Sequence, residues 1–430
     1  MRPSARALGL SLAWLAAVAC VHVAAAQPAG SRVLPYLAAH GAMTALMLLA
    51  WRSLRTPVDL TLALLVGVVG RVALVSAPSF TTTDVGRYLW DGAVALEGFD
   101  PYALPPLATE LAGLRARFPP PVDHLDVATC YPPLALVLFA LAAATGPARA
   151  WWVWKGMAAL ASSATAALVS WHLRGSERAR HAVLVAWSPV LVLEAGVGAH
   201  LDAYSALAVA AFVVCYERRN RGGAALAAGV AGAVKLVPGV VLLALVARTE
   251  RPLRVLAIAA LPTVVTVGVA EALGMTPPGS LPHVAANWSF AAPLWTALYA
   301  IAPLEDEVIR PALAAAGLVA AVLVALRCGG FARNARDVAG VSVAVSPVLY
   351  PWYTMPLAVT VGFAPSTWAL ALCAAAPVSY EVLDAWQREG RWAPGRYPVA
   401  LIAAVVAVGV VVDVRGWWRR WTCGRGGGGG

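Results

Sequence analysis

Apolar runs of membrane-spanning length recur along this chain, separated by short polar connections. A helix that crosses a bilayer needs about 20 consecutive apolar residues, so 430 residues leave room for about a dozen crossings. Apolar residues make up 60% of the sequence and charged residues only 13%, against about 25% charged in ordinary soluble proteins. The sequence therefore excludes a soluble cytosolic enzyme and predicts an all-α, polytopic transmembrane bundle of about 11–13 membrane segments.

The basic residues stand in short clusters between the apolar runs and give the chain a net charge of +10. They do not form one basic face, so we expect no nucleic-acid partner. By the positive-inside rule the clusters lie in the cytoplasm, which predicts a multi-pass protein of the cell membrane surrounded by lipids. The clusters are Arg52/Arg55, Arg174/Arg178/Arg180, Arg218/Arg219/Arg221, Arg248/Arg251/Arg254, Arg327/Arg333/Arg336 and Arg415/Arg419/Arg420/Arg425.

The chain divides into three groups of membrane segments and a short tail. Residues 1–57 are expected to form N-terminal helices, the first of which also has the features of a cleaved signal peptide. Residues 58–365 form the central membrane core, and residues 366–421 form the C-terminal helices. The glycine-rich residues 422–430 are expected to be a disordered tail.

Two parts of the core do not fit simple crossings. If 131–146 and 150–172 both crossed the membrane, the basic cluster after them would lie outside the cell. Either one of the two segments is partial, or the positive-inside rule fails there. Residues 224–247 are short for two crossings between basic clusters. A glycine and a proline flank Lys235 in this stretch, which predicts two half-helices bent around the lysine and lining a cavity.

Residues 78–130 form the longest polar interruption, and the topology places them on the extracytoplasmic side. Threonines precede Asp84 and are good N-caps, so a helix is expected to begin there. At about 100° per residue, Asp84, Arg87, Tyr88 and Asp91 share one stripe, and the opposite face is apolar. We expect an interfacial helix whose apolar face contacts lipid and whose carboxylates face an aqueous cleft.

Two interpretations of this helix remain open. A carboxylate within hydrogen-bond reach of an acceptor hydroxyl can act as a general base, taking the proton as a new bond forms. Alternatively, the helix is a solvated, capped element in which Asp84 and Asp91 only bracket Arg87.

Ionisable residues inside apolar sequence are costly and indicate functional sites. Glu194, His200 and Asp202 form such a group, unless a turn leaves His200 and Asp202 in water. Lys235 must find an anion, which is either one of these carboxylates or a bound phosphate. Arg71 lies near the outer end of its span and is expected to snorkel to the surface, with a place in the site as the alternative.

The order of the polar motifs resembles the bacterial branch of the GT-C glycosyltransferases, which are polytopic enzymes that use polyprenyl-phosphate sugars. The resemblance covers residues 58–365, which it makes the catalytic membrane core, with 78–130 as the first catalytic loop. The motifs, in order, are Thr83-Asp84-Val85-Gly86-Arg87-Tyr88-Leu89-Trp90-Asp91-Gly92, Gly98-x-x-Pro101-Tyr102, Tyr131-Pro132-Pro133-Leu134, Trp187-Ser188-Pro189, Glu194, His200-x-Asp202, Lys235-x-x-Pro238, Ser346-Pro347 and Pro351-Trp352-Tyr353.

The resemblance implies roles for nine residues of this set. Catalysis at a phosphate leaving group requires a base for the acceptor and positive charge for the departing phosphate. The implied site residues are Asp84 as the base with Asp91 as second choice, Lys235, Arg87 and His200 for the donor phosphate, and Tyr88, Glu194, Asp202 and Tyr353 for the substrates.

The resemblance also implies the reaction. A sugar, with mannose expected, passes from a polyprenyl-phosphate donor to an extracytoplasmic glycolipid or cell-envelope glycan, with inversion. A divalent metal is possible, although Thr83 stands where many members carry a second acidic residue. The alternative function is a transporter or flippase of lipid-linked sugars. Transporters commonly show matching broken helices in both halves, and the sequence shows one break without a partner.

Overall fold

A computed structural model describes residues 2–301 and 305–425, with the backbone alone for 416–425. Three long helices begin the chain, in agreement with the helices expected in residues 1–57 and at the start of the core. Ser4 caps the first of them, and its backbone N–H donates to the Asp59 carboxylate at 2.8 Å, which ties the first helix to the third. The three helices are α1 (Ala5–Ala26), α2 (Val33–Ser53) and α3 (Pro57–Ala73), and a 3-10 turn at Leu74–Ser76 follows.

The polar stretch after α3 contains the helix expected to begin at Asp84. The elements are α4 (Asp84–Leu96), a 3-10 turn (Thr109–Leu111), α5 (Ala112–Arg115) and α6 (Pro133–Ala143). The expectation that the apolar face of α4 contacts lipid is wrong, because Val85 and Leu89 are buried within the protein. Helix α6 packs closely against α4 at Gly92, where a Cβ atom would lie 2.5 Å from the carbonyl carbon of Phe139.

The middle of the chain consists of one long helix and several interrupted ones. The elements are α7 (Pro147–Leu173), a 3-10 turn (Ala179–Ala182), α8 (Val183–Ala186), α9 (Pro189–Gly196), α10 (Asp202–Glu217), α11 (Arg221–Val234), a 3-10 turn (Val237–Val241) and α12 (Leu242–Val246). The 11 residues of α6 span only about 16 Å, roughly half of a hydrocarbon core. The expected partial segment is therefore α6, which leaves α7 as the full-length helix.

Helices α11 and α12 form a hairpin whose tip is Lys235, which confirms the predicted bend. Helix α11 ends at Val234, and Lys235 itself is extended, with φ −153° and ψ 127°. The two arms meet at glycines, because a Cβ atom on Gly239 would lie 2.9 Å from the Cα atom of Gly232. A second interruption, which we did not predict as a break, separates α8 from α9.

The rest of the chain returns to longer helices. The elements are α13 (Pro252–Ala272), α14 (Leu281–Asn287), α15 (Pro293–Ile301), α16 (Asp306–Leu326), α17 (Phe331–Val345), a 3-10 turn (Pro351–Thr354), α18 (Met355–Phe363), α19 (Thr367–Ala375), a 3-10 turn (Ala376–Glu381), α20 (Val382–Glu389) and α21 (Arg396–Arg425). Of the expected tail, 422–425 continue α21 and 426–430 lie outside the described residues.

The predicted all-α membrane fold is confirmed. Within the described residues, six helical segments are long and apolar enough to cross a bilayer without interruption, namely α1, α2, α3 with the turn after it, α13, α16 and the first part of α21. Their outward side chains, such as Leu253 and Val408, are exposed as lipid-facing residues are. The other predicted crossings fall on α7 and on shorter or broken helices.

Four of the basic clusters, those at 174–180, 218–221, 248–254 and 327–336, meet at one end of the bundle, where Tyr216 stacks on Phe331. A guanidinium nitrogen of Arg178 lies 2.8 Å from the Glu217 carboxylate, and Arg248 donates to the carbonyl of Gly329 at 3.2 Å. Helix α10 runs from Glu217 at this end to Asp202 at the other. These four clusters and Asp202 thus lie at opposite ends of α10, which is the segregation that the positive-inside rule predicts.

Candidate active site

Four separate elements bring the candidate residues together. Asp84 begins α4, His200 lies in the turn before α10, and Lys235 is the tip of the α11–α12 hairpin. Tyr353 belongs to the 3-10 turn before α18, and its ring lies 4.0 Å below the Lys235 ammonium. Residues that are up to 269 positions apart in the numbering therefore form one cluster, as expected of residues that the resemblance assigns to one site.

Asp84 has one engaged and one free carboxylate oxygen. Its Oδ2 accepts a hydrogen bond from the Tyr88 hydroxyl at 3.2 Å and lies 3.3 Å from Nδ1 of His200. Its Oδ1 accepts no hydrogen bond from any described residue, and the side chain is 29% exposed. Burial raises the pKa of Asp84, but His200, Lys235 and Tyr88 together outweigh it and hold the pKa below its usual value. The group is therefore an ionised carboxylate with an open oxygen.

His200 is fully buried between two carboxylates. Its Nδ1 faces Asp84, and its Nε2 lies 3.5 Å from Oε2 of Glu194. Both contacts are within ion-pair range but lack hydrogen-bond alignment, and neither ring nitrogen bonds to another described group. The ring stacks on Trp352 with centroids 3.7 Å apart. With its ring covered in this way, His200 presents no surface to a phosphate.

The backbone around His200 is shaped to admit the ring. A Cβ atom on Gly198 would lie 2.5 Å from the imidazole, so only glycine leaves room there. Ala199 has a positive φ of 49°, which is uncommon for alanine, and the Trp154 indole donates to its carbonyl at 2.8 Å. This strained turn is held by its surroundings and fixes the direction of the imidazole.

Glu194 is a buried carboxylate with two tyrosine partners. Tyr380 donates to Oε2 at 2.7 Å and Tyr36 donates to Oε1 at 3.4 Å. Sequence reasoning missed both tyrosines, although a lone phenol in an apolar run is a signal that it needs a buried partner. The arrangement leaves Glu194 inaccessible to a substrate and directs it towards His200.

Lys235 pairs with Asp202, which was one of its two expected types of partner. The ammonium lies 2.9 and 2.8 Å from the two Asp202 oxygens. Asp202 is buried, whereas the Lys235 side chain keeps 20% of its surface exposed. The lysine is therefore the accessible member of the pair, and it can contact a ligand without losing Asp202.

A small cavity of about 60 Å³ opens beside this ion pair. Its polar end consists of Asp202, Lys235 and the Tyr353 ring, and its wall is largely apolar. The wall residues include Val237, Pro238, Val240, Ala339, Val343, Pro356 and Leu357. A charged end and an apolar wall suit a ligand with an anionic head and a hydrocarbon tail.

Asp91 and Arg87 form a separate, inward-facing pair. Nε of Arg87 lies 2.9 and 3.0 Å from the two Asp91 oxygens, and the same guanidinium donates to the carbonyls of His124 and Val127. Burial raises the pKa of Asp91, and the nearby Arg87 charge offsets only part of this effect. The pair ties α4 to the end of the polar loop. Of the two carboxylates expected on either side of Arg87, only Asp91 contacts it, and Asp84 does not.

The donor set around Asp84 does not fit a divalent metal. Asp84 faces His200, Asp202 is paired with Lys235, and Asp91 is paired with Arg87, so each carboxylate already faces a nitrogen. In the described part of the chain, no group of three or more histidine, cysteine or acidic residues is arranged to hold a metal ion. The chemistry considered below therefore uses the side chains alone.

The model of glycosyltransferase family 87 matches residues 129–351, just over half of the 430-residue chain. No curated protein and no solved structure matches the chain significantly. The matched region contains Glu194, His200, Asp202 and Lys235, while Asp84 precedes it. The chain therefore belongs to glycosyltransferase family 87, a family of GT-C-type integral-membrane glycosyltransferases.

Proposed function

We propose that this glycosyltransferase moves a sugar from a polyprenyl-phosphate donor to a hydroxyl of a glycolipid or cell-envelope glycan. The observation that carries the proposal is the presence, in one cluster, of an open carboxylate oxygen, Oδ1 of Asp84, and an accessible ammonium, Lys235, which lines a largely apolar cavity. A base and a phosphate-binding cation are the two groups that this reaction needs. Mannose is the sugar we propose, following the resemblance of the motifs.

The reaction is a single displacement in this proposal. The acceptor oxygen attacks the anomeric carbon while Asp84 takes the hydroxyl proton, and the bond from the anomeric carbon to the phosphate oxygen breaks. The bonding electrons leave with the phosphate, so the products are the glycoside and a polyprenyl phosphate. Attack from the face opposite the leaving group inverts the anomeric centre.

Lys235 is the proposed partner of the donor phosphate. Its charge is only partly exposed, which strengthens a contact with an anion relative to a contact in water. The apolar wall next to it supports a lipid donor over a water-soluble sugar nucleotide, because a nucleotide would leave that wall exposed. Arg87 is excluded from this role in our proposal, since it is already bound to Asp91 and two carbonyls.

The proposed side of the reaction is extracytoplasmic, at the cell membrane. The support is the separation of the site from the basic clusters, which the positive-inside rule assigns to the cytoplasm. A substrate-contacting role for Tyr353 follows from its place in the cavity beside Lys235. The buried Asp202 and Tyr88 act through their partners, Asp202 through its ion pair with Lys235 and Tyr88 through its hydrogen bond to Asp84.

The test is transfer of radiolabelled sugar by the purified protein in liposomes. A panel of polyprenyl-phosphate sugars, with mannose first, is offered together with a membrane glycolipid extract as acceptor. Asp84→Asn should lower the transfer rate by a factor of about 100 to 10,000, the usual contribution of a general base. Asp126→Asn, an exposed residue of the same loop, is the matched control and should transfer sugar as the wild type does.

Retention of the wild-type rate by Asp84→Asn would overturn the assignment of the base. Movement of intact lipid-linked sugar across the bilayer, without transfer to an acceptor, would instead favour the flippase. The second helix break, between α8 and α9, is the feature that keeps this alternative open, because paired breaks are common in transporters.

A further inference from the structure

His200 and Glu194 have a place in the structure that binding a phosphate does not explain. Both side chains are fully buried, and they lie in line behind Asp84 rather than beside the cavity. The line runs from Glu194 Oε2 to His200 Nε2 over 3.5 Å, and from His200 Nδ1 to Asp84 Oδ2 over 3.3 Å. An imidazole in this place contacts one carboxylate with each of its ring nitrogens.

Glu194 holds His200 at two points. Its backbone carbonyl accepts the N–H of His200 at 2.9 Å, and its carboxylate faces the ring. The two tyrosines on Glu194 come from α2 and from the turn before α20, so the carboxylate is anchored to distant parts of the bundle. The stacked Trp352 ring blocks rotation of the imidazole on one face.

Resting on the proposed function, we propose that His200 is a positioning residue, which Glu194 holds in place and which fixes Oδ2 of Asp84 so that Oδ1 is free for the acceptor hydroxyl. Tyr88 supports this arrangement by donating to the same Oδ2. His200 thereby also favours the ionised form of Asp84, which is the form that can take a proton.

The charges that face this chain of groups come from several elements. Asp84 approaches the imidazole from α4, Glu194 from α9, and Asp202 lies at the start of α10. The charge of Lys235, at the hairpin tip, also acts on Asp84. Of these groups, only Asp84 and Glu194 lie within 4 Å of the ring nitrogens.

Two isosteric substitutions distinguish the role of Nδ1 of His200 from that of Nε2. Asparagine places its amide nitrogen near the position of Nδ1, whereas glutamine places its amide nitrogen near that of Nε2. His200→Asn therefore keeps a donor towards Asp84, and His200→Gln keeps one only towards Glu194. We expect kcat to fall about 100-fold in His200→Gln and less than about tenfold in His200→Asn, with the donor KM changed less than about threefold in both.

The pH profile supplies a readout that a merely structural role would not move. Without the imidazole beside it, Asp84 should protonate at a higher pH, so the acid limb of kcat should shift upward in His200→Gln. Glu194→Gln keeps the shape of the side chain and can bond to both tyrosines, accepting from one through its oxygen and donating to the other through its amide nitrogen. It should shift the limb in the same direction. This variant also serves if the His200 variants do not fold.

Three results would overturn the proposal. The first is an unchanged acid limb and an unchanged kcat in both His200→Gln and Glu194→Gln. If Asp84→Asn is inactive in the same assay, this result removes the positioning role but leaves the proposed function intact. A second is an equal loss in His200→Asn and His200→Gln. The third is a rise in donor KM with kcat unchanged, which would return His200 to binding phosphate. Full activity of Asp84→Asn would instead remove the base itself.

Discussion

The guanidinium of Arg71 donates a hydrogen bond of 3.0 Å to the carbonyl of Val185 inside the bundle. Pro189, four residues further along, has no N–H, so a continuous helix could not satisfy this carbonyl. Arg71 also reaches the carbonyl of Ala186 at 2.7 Å, and its side chain is fully buried. The expected snorkelling is therefore wrong. Arg71 instead donates to the carbonyls at the break between α8 and α9.

Removal of this guanidinium should destabilise the fold. Arg71→Met leaves two carbonyls without donors in a dry interior, and we expect a loss of about 2–4 kcal/mol in the free energy of unfolding. Arg71→Lys keeps the charge but offers a single nitrogen, so its loss should be smaller. Denaturant unfolding in detergent micelles measures both, and stability equal to the wild type in Arg71→Met would contradict the assignment.

Proline and arginine should be coupled in a double-mutant cycle. Pro189→Ala restores an N–H that can bond to Val185, so it should recover part of the stability that Arg71→Met loses. We expect a coupling energy of about 1–2 kcal/mol, well above the few tenths seen for independent sites. Strict additivity of the two single changes would mean that Arg71 does not act on this break.

The sequence was most informative where a local pattern decides the structure. Apolar runs predicted α1 to α3, the stripe from Asp84 to Asp91 predicted α4, and flanking glycine and proline predicted the bend at Lys235. It was uninformative where the outcome depends on which elements pack together. The apolar face of α4 meets α6 and not lipid, and this follows from the close approach at Gly92, which periodicity cannot reveal.

The same limit applies to the site. The resemblance of the motifs assigned Asp84, His200 and Lys235 to one site, but the sequence could not show which charged residue pairs with which. The structure pairs Asp91 with Arg87 and leaves Asp84 to His200, a division that depends on the direction of each side chain around α4. Tyr36 and Tyr380 were missed because neither belongs to a polar motif.

The rate of transfer should depend little on pH between about 5 and 8 as far as Asp84 is concerned. Its pKa lies below the usual aspartate value, so the carboxylate is ionised throughout this range and is lost only as the pH falls through that lowered pKa. A pH–rate profile in liposomes checks this. An acid limb centred near pH 6 that moves in Asp84→Glu would contradict it.

Removal of Lys235 should weaken donor binding more than it lowers stability, provided that Asp202 is replaced in the same variant. Lys235→Met alone leaves Asp202 buried and unpaired, so the double variant Lys235→Met/Asp202→Asn is the better test because it removes both charges. We expect this variant to fold and to bind polyprenyl phosphate at least about tenfold more weakly. Ligand-induced thermal stabilisation measures the affinity, with Lys235→Arg as the control that keeps the charge.

Undiminished binding of polyprenyl phosphate by the double variant would remove Lys235 from the donor site. A matched measurement with the free phosphate ion separates the head from the tail. If the cavity holds the lipid, the wild type should bind polyprenyl phosphate far more tightly than inorganic phosphate, because the apolar wall contributes only with the former.

Asp91 should contribute to stability and not to chemistry. Its carboxylate is 3% exposed and bonded to Arg87, whose side chain is 12% exposed, so Asp91→Asn leaves a buried guanidinium without its counter-ion. Removing one partner of a buried pair typically destabilises by about 3–5 kcal/mol. We expect a lower unfolding temperature in Asp91→Asn but a kcat per folded molecule within about threefold of the wild type.

Arg87→Met/Asp91→Asn is the control, and it should be more stable than Asp91→Asn alone, since it leaves no unpaired charge. A large fall in kcat with unchanged stability, as expected for Asp84→Asn, would instead make Asp91 the base.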